Sequence, residues 1–466
     1  MDEKIHTLLK SAKGHASAWI DTIADRPVRA TRSSDELRNM LGGPLPQQGV
    51  DPEILTATLA NAGLGGTVAS AGPRFFGFVV GGRLPAALAA DWLVSTWDQN
   101  ACVYAQSPLV SVIEKITGTW LLEIAGLSPS MSFGFVTGCQ MASFTGLAAA
   151  RHRVLRTAGW DVEANGLCGA PRIEVVVSEE AHYTIFMALR LLGIGTAQVR
   201  RIPTDDQGRM RADELAKVLH AQKDGPCIVC AQAGNVNTGA FDPLDEIAGL
   251  AKRRGAWLHV DGAFGLWAAA SEKRAPLLRG IEKADSIATD GHKWLNVPYD
   301  CGIVFCADEA AHRSTMSLAA AYIVATGSER DPHEFVPEES RRARAVPLYA
   351  ALRSLGRQGL AELVERNCRQ ARRFADGLSA AGYEVLNDVV LNQVLVAFGG
   401  IEQTRRTIAA IQEEGTCWCG GTVWKGRTAM RISVSNWSTT DEDVDRSLAA
   451  ILQVARQCAQ PAHPRP

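Results

Sequence analysis

The sequence predicts an α/β protein, a mostly parallel sheet between helices, followed by a smaller α+β domain. Two observations carry this. From about residue 170 to 306, short β-branched runs alternate with stretches of helical apolar spacing, and after about residue 350 the order changes. Alternation builds parallel sheets, whereas segregated helices and strands build α+β domains.

The first 70 residues read as helices and loops. Ser107-Pro108 opens a strongly apolar helix running to about Ala125, and Gly126 stands at its stop. Strands are predicted at Ile173–Val177, Val199–Ile202, Cys227–Ala231, Ala256–Val260 and Gly302–Cys306. Between them the 3.6-residue spacing predicts helices over Tyr183–Leu192, Ala212–Leu219 and Leu244–Lys252, the last opened by Asp242-Pro243. Beyond 350 a helix near Ala361–Ala380 precedes strands near Tyr383–Leu386, Val394–Phe398 and Met430–Val434, and Asp441–Cys458 closes as a helix. The proline-rich tail 461–466 is expected to be disordered. The expected division is a helical segment 1–70, a large domain 71–350 and a small domain 351–466.

An apolar share of 46% with 21% charged residues is ordinary for a soluble globular chain of 466 residues. Lys plus Arg number 48 against 50 Asp plus Glu, so no summed field gathers nucleic acid or an anionic membrane. Neither an apolar signal core nor a run of ~20 apolar residues is present, and the expected compartment is the cytoplasm. Eleven cysteines, an odd and scattered set, suit a reducing environment better than a disulfide framework. Cys227 and Cys230 lie three apart on a strand and face opposite sides; Cys417 and Cys419 share a face but lack a second ligand pair. No metal site is expected.

In an open parallel sheet, ligands bind beyond the carboxyl ends of the strands. Ala256–Val260 delivers Asp261 to that edge, followed by the small residues Gly262 and Ala263. The run Asp285–Trp294 ends a short strand and brings His292 and Lys293 to the same edge. Singly, Asp261 is a strand-end cap and Lys293 a surface lysine. Together they are what pyridoxal 5′-phosphate requires: an amine for its aldehyde and a carboxylate for its ring nitrogen. Thr137-Gly138-Cys139-Gln140 leads into a helix over Ala142–Ala150, where backbone N–H groups can face a phosphate. His182 follows Ile173–Ser178 at this edge, either stacked on a ring or as a helix N-terminal histidine without a ligand.

These segments, in this order, resemble the group II pyridoxal-dependent amino-acid decarboxylases, the family of the glutamate and aromatic-amino-acid decarboxylases. The resemblance covers nearly the whole chain: Ala90-Asp91-Trp92-Leu93, Ser107-Pro108, Gly239-Ala240-Phe241-Asp242-Pro243, Leu258-His259-Val260-Asp261 and Asp290-Gly291-His292-Lys293-Trp294. It implies the pyridoxal-phosphate-dependent transferase-like fold (fold type I) with a seven-stranded sheet, and a homodimer with active sites at its interface. It further implies that Lys293 is the aldimine lysine, that Asp261 pairs with the pyridinium nitrogen, and that Ala263 and His182 pack on the two ring faces. Gly138, Cys139 and His292 would surround the phosphate. The implied reaction is decarboxylation of an L-amino acid to its amine and carbon dioxide. Aldehyde formation, transamination, carbon–carbon lysis and cofactor binding without turnover are the alternatives.

The chain departs from the family pattern at Gln232 and Asn235, where threonines are frequent, so hydrogen bonding to the ring hydroxyl is left open. The mobile loop, here about Thr326 to Pro337, lacks the tyrosine that family members use as proton donor. His333, or Tyr322 upstream, is the expected substitute; members without the tyrosine can release an aldehyde. For the substrate, Arg431 resembles the C-terminal arginine that glutamate decarboxylases place near the substrate carboxylate, or is part of a surface salt bridge, whereas Phe75, Phe76, Phe78 and Trp97 suggest an aromatic pocket or simply core. Replacing Lys293 with Ala should abolish the visible absorbance of lysine-linked cofactor; a variant that retains the band refutes the lysine assignment.

Overall fold

The computed structural model describes residues 2–221, 224–317 and 329–459. Seven strands form the large sheet: β1 (Ser132–Val136), β2 (Glu174–Ser178), β3 (Arg200–Ile202), β4 (Cys227–Gln232), β5 (Trp257–Asp261), β6 (Ser286–Asp290) and β7 (Gly302–Cys306). Their order is β1-β7-β6-β5-β4-β2-β3. Strands β6, β5, β4, β2 and β3 run parallel to one another, and β7 is antiparallel to both β6 and β1. The expected strands fall within a residue or two of these bounds. β1 was not among them, because Ser132-Phe133-Gly134-Phe135-Val136 is short and interrupted by glycine. That glycine is needed: a Cβ at Gly134 would lie 2.4 Å from the Phe335 carbonyl oxygen.

Val176, Val229, Val260, Ile287 and Val304 are all fully enclosed, as both faces of a parallel sheet require. Each such side chain contributes about 1.5–3 kcal/mol through burial. The helix Cys139–Thr157 covers one face. Its buried residues Leu147, Ala149, Ala150 and Val154 meet Val175, Val177, Ile228 and Trp257.

A second sheet has the order β10-β11-β9-β8, with β8 (Glu384–Val385), β9 (Gln393–Ala397), β10 (Gly420–Trp424) and β11 (Arg427–Ser433). Helix Ala345–Ala380 is broken at Gly356, whose φ of 61° only glycine takes readily. The helix expected near Ala361–Ala380 is the part beyond that break.

The compact units differ from the expected division. One comprises Met1–Val80, Arg373–Leu386 and Leu395–Pro466; the other comprises Gly81–Arg372 and Asn387–Val394. The N-terminal segment joins the C-terminal half through contacts that no local periodicity encodes. Val28 N–H donates to the Gly415 carbonyl at 2.8 Å, Trp418 N–H to Arg74 O at 3.1 Å, and buried Arg74 pairs with Asp443 at 3.2 Å. The tail 461–466 lies outside the described residues.

In the larger unit, His312 ties three segments together. Its Nε2–H donates to the Phe335 carbonyl at 2.9 Å and its Nδ1 faces Ser132 Oγ at 2.9 Å. Burial lowers its pKa from 6.5 to about 4. The unfolded chain therefore takes up a proton near pH 6.5 that the folded chain refuses, so stability falls as pH drops through this window. Between neutral pH and pH 5 His312 should cost on the order of 2 kcal/mol of stability, read as the part of the urea-midpoint loss that His312→Gln removes. An identical pH dependence in that variant refutes the assignment.

Candidate active site

Register brings the polar residues to one edge. Gln232 pairs with Asp261 across β4 and β5, and Asp261 with Ala288 across β5 and β6. Asp290 stands two residues further along β6, its N–H donating to the Ala263 carbonyl at 2.9 Å. Asp261 and Asp290, 6% and 2% exposed, thus leave adjacent parallel strands into the same crevice.

Asp290 is the hub. One carboxylate oxygen lies 3.0 Å from Lys293 Nζ; the other accepts the Cys139 backbone N–H at 2.6 Å and lies 3.5 Å from His292 Nε2. Cys139 begins the helix Cys139–Thr157, so the negative group faces the positive end of a helix dipole. Burial alone would pull the Lys293 ammonium down, but Asp290, with Asp261 beyond it, outweighs this and raises its pKa above the usual lysine range. His292 Nδ1 accepts the Cys301 N–H at 3.1 Å, which puts the ring proton on Nε2, facing Asp290. Burial lowers the His292 pKa against the pull of Asp290, leaving the ring neutral at pH 7.

Asp261 accepts the Ala263 N–H at 3.1 Å and the Cys139 thiol at 3.4 Å. Burial, with Asp261 and Asp290 nearby, pushes that thiol well above its ordinary pKa, so Cys139 stays an S–H donor. Lys293, Asp290, Cys139 and Asp261 are therefore linked through consecutive contacts. The lysine rests against Gly81, where a Cβ would come 1.9 Å from the Lys293 carbonyl oxygen. The loop holding Lys293 is closed at its base by the Asp290–Gly302 pair and by Gly291 N–H on the Cys301 carbonyl at 2.9 Å.

The other expected residues fall variously. Gly138 caps the Cys139–Thr157 helix beside His292: a Cβ there would lie 3.3 Å from the imidazole. Ala263 packs in the cluster of Val136, Cys139, Ala142, Ala288 and Val304. His182 stands at the start of helix Tyr183–Leu191, its Nδ1 2.7 Å from Thr184 Oγ1. Gln232 is buried and donates from Nε2 to the Glu180 carbonyl at 3.1 Å. Asn235 Oδ1 accepts the N–H groups of Asn237 and Thr238. His333, buried, sits 3.6 Å from Glu339, which also accepts the Cys102 thiol at 3.2 Å. Trp97 ends helix Pro85–Trp97, partly exposed. Tyr322 lies outside the described residues. Phe76 and Arg431 belong to the other unit. Phe76 is buried edge-on against Phe374 at 5.1 Å, while Phe75 and Phe78 stack on Trp418; Arg431 pairs with Gly420 on β10. Burial lowers the Arg431 pKa. Among the described residues no His, Cys, Asp and Glu group is arranged to hold a metal ion.

Asp290 is the site residue that the sequence reading left without a role. Its signal was present: an acidic residue at a strand's carboxyl end, three before the lysine. The donor set fits pyridoxal phosphate, since an amine and a buried carboxylate share one crevice with a helix N-terminus. Asp290→Asn should lower the Lys293 pKa, because a carboxylate at 3.0 Å is lost. The pH profile for capture of a small aldehyde by Lys293 should then move down by about one pH unit or more; an unmoved profile refutes the pairing.

Comparison with known proteins agrees with this chemistry. Residues 56–399 match the model described as the pyridoxal-dependent decarboxylase conserved domain. The chain is 28% identical to an aromatic-L-amino-acid decarboxylase of Bacillus atrophaeus over 93% of its own length and 92% of that protein. It is 30% identical to an acidic amino acid decarboxylase of Homo sapiens over 78% of its length and 71% of that protein. The crystal structure of Oryza sativa TDC with PLP and tryptamine superposes with a TM-score of 0.91 at 23% identity, covering 98% of both chains. The chain belongs to the pyridoxal-dependent decarboxylase family, and it is a carboxy-lyase that acts on an amino acid with pyridoxal 5′-phosphate as cofactor.

Proposed function

We propose that Lys293 carries the cofactor and that Asp261 holds the proton on its ring nitrogen, in the decarboxylation of an L-amino acid to the corresponding amine. The observation that carries this is the single buried crevice in which Lys293, Asp290, Cys139 and Asp261 are joined by contacts of 3.0, 2.6 and 3.4 Å. When bound, the cofactor supplies an electron sink for the bond that breaks. The protein's own groups do the rest. Asp290 holds the Lys293 amine in place. Gly138, Cys139 and His292 would flank the cofactor's phosphate, and the N–H groups of the helix's first turn beyond Cys139 would supply its donors. His182 and Ala263 would pack on the ring's two faces, and Gln232, in register with Asp261, would be the group available to its hydroxyl.

His333, with Glu339 as its carboxylate partner, is the proposed donor of the proton that completes the amine. Arg431, Phe76 and Trp97 are the proposed substrate-side residues. The named substrates of the relatives, aromatic and acidic amino acids, correspond to the two directions in which these side chains point chemically. Aldehyde release, with dioxygen as the two-electron oxidant and ammonia and hydrogen peroxide as co-products, is the second reading, favoured by the absence of tyrosine from the described stretch 329–337. We place the enzyme in the cytoplasm as a homodimer. Supporting this, the cysteines are free, and one chain leaves Ile5, Leu9, Ile54, Leu55 and Leu59 exposed. No helix among the described residues is long and apolar enough to cross a membrane.

The test is to incubate the holoenzyme with a panel of L-amino acids and quantify carbon dioxide, amine, aldehyde and keto acid. Carbon dioxide with equimolar amine is expected, and His333→Gln should cut amine formation by about a hundredfold. A keto acid without carbon dioxide overturns the reaction, and aldehyde in place of amine overturns the role of His333.

A further inference from the structure

Cys139 touches both buried carboxylates of the crevice. Its backbone N–H donates to Asp290 Oδ1 at 2.6 Å, and its thiol donates to Asp261 Oδ1 at 3.4 Å. The backbone that presents it has little room to shift: Gly138, just before it, is pressed against β7, where a Cβ on Gly302 would lie 2.5 Å from the Gly138 Cα. The side chain itself is buried in an apolar cluster with Val136, Ala142, Ala288, Val304 and Val336. Among the described residues Asp261 is the thiol's hydrogen-bond partner, and burial, with Asp261 and Asp290 nearby, keeps the hydrogen on sulfur.

The two oxygens of Asp261 are not equivalent. Oδ1 accepts twice, from the Ala263 N–H at 3.1 Å and from the Cys139 thiol, whereas Oδ2 has no hydrogen-bond partner among the described residues. A carboxylate turns easily about its Cβ–Cγ bond, because that torsion has only a broad, shallow preference. One donor on Oδ1 leaves this rotation open. A second donor from another direction fixes the plane of the group, and the two donors here come from separate segments: Ala263 just past the end of β5, and Cys139 at the start of the helix Cys139–Thr157. With Oδ1 held in this way, Oδ2 is the oxygen left to meet a further donor.

We propose that Cys139 is a positioning residue: its thiol anchors Asp261 Oδ1 and so presents Oδ2 to the cofactor's ring nitrogen, while its N–H, on Asp290, secures the lysine end. This rests on the reading of Asp261 as partner of that nitrogen. A single residue then sets the separation between the amine that meets the aldehyde and the carboxylate that meets the ring. The N–H is there whatever the side chain; the S–H is what cysteine adds at this position.

Two measurements test this. The first is the infrared S–H stretch of the cofactor-free protein, taken as the difference between wild type and Cys139→Ser; it should lie at the position of a hydrogen-bonded thiol. The second is nitrogen-15 NMR of the holoenzyme reconstituted with ring-labelled pyridoxal phosphate. Cys139→Ala removes the donor, and should move the ring nitrogen toward its unprotonated shift and weaken cofactor affinity about tenfold. Cys139→Ser keeps a donor and should lie close to wild type in both. Either side chain is smaller than cysteine, so a packing effect strikes both variants alike and only the hydrogen bond tells them apart. A free-thiol band in the wild type, a ring-nitrogen shift that Cys139→Ala leaves unchanged, or equal losses in the Ala and Ser variants overturns the proposal. Asp261→Asn separates the two readings: a ring nitrogen still protonated in that variant shows the pairing of Asp261 to be wrong, whereas a response to Asp261→Asn but not to Cys139→Ala refutes only the role of the thiol.

Discussion

The site depends on one electrostatic constraint, the burial of the Asp290 carboxylate. A carboxylate taken out of water stays ionised only if positive charge and hydrogen-bond donors surround it. Asp290 obtains them from the Lys293 ammonium, the Cys139 N–H at a helix N-terminus and the neutral His292 Nε2–H. These partners come from three parts of the chain, so a single buried charge aligns the lysine, the helix start and the imidazole. The cost of burying Lys293 is offset by the same pair, and the amine is kept in one orientation.

A comparable arrangement occurs away from the crevice. Glu114, fully buried in helix Pro108–Ile124, receives Arg341 at 2.8 Å and Arg330 at 3.3 Å. Arg330 also donates to the Phe133 carbonyl and lies over the rings of Phe133 and Phe335. Burial lowers its pKa to about 10, still well above neutrality. Two guanidiniums around one carboxylate add specificity more than stability. They join β1 to the segment holding His333, and His312 makes the same connection from the other side.

How much of this was legible in the sequence follows from the range of each interaction. Val176, Val229 and Ile287 announce their strands through runs of β-branched residues, and Asp261 and Lys293 were readable because chemistry clusters where such runs end. β1 was not legible: its pairing with β7 joins residues about 170 apart and its composition is ambiguous. The association of residues 1–80 with the C-terminal half was equally hidden, since Val28–Gly415 and Arg74–Asp443 are long-range contacts without a periodic signature. Cys139 was read as a phosphate-loop residue; the fold shows its thiol on Asp261 while its N–H serves Asp290. The orientation of a side chain relative to its own backbone is set by packing, which no motif records.

The reversal of direction at β7 has a geometric consequence. Because β6 and β7 are paired from Ser286–Cys306 to Asp290–Gly302, the Lys293 amine rides on a short chain segment tethered at both ends to the same rung of the sheet. Such a closed ring can pivot but cannot drift, and adding or deleting a residue within it would displace the nitrogen relative to the neighbouring strand. Tolerance to length change should therefore be lowest between Asp290 and Gly302, a mechanical bound on evolutionary variation.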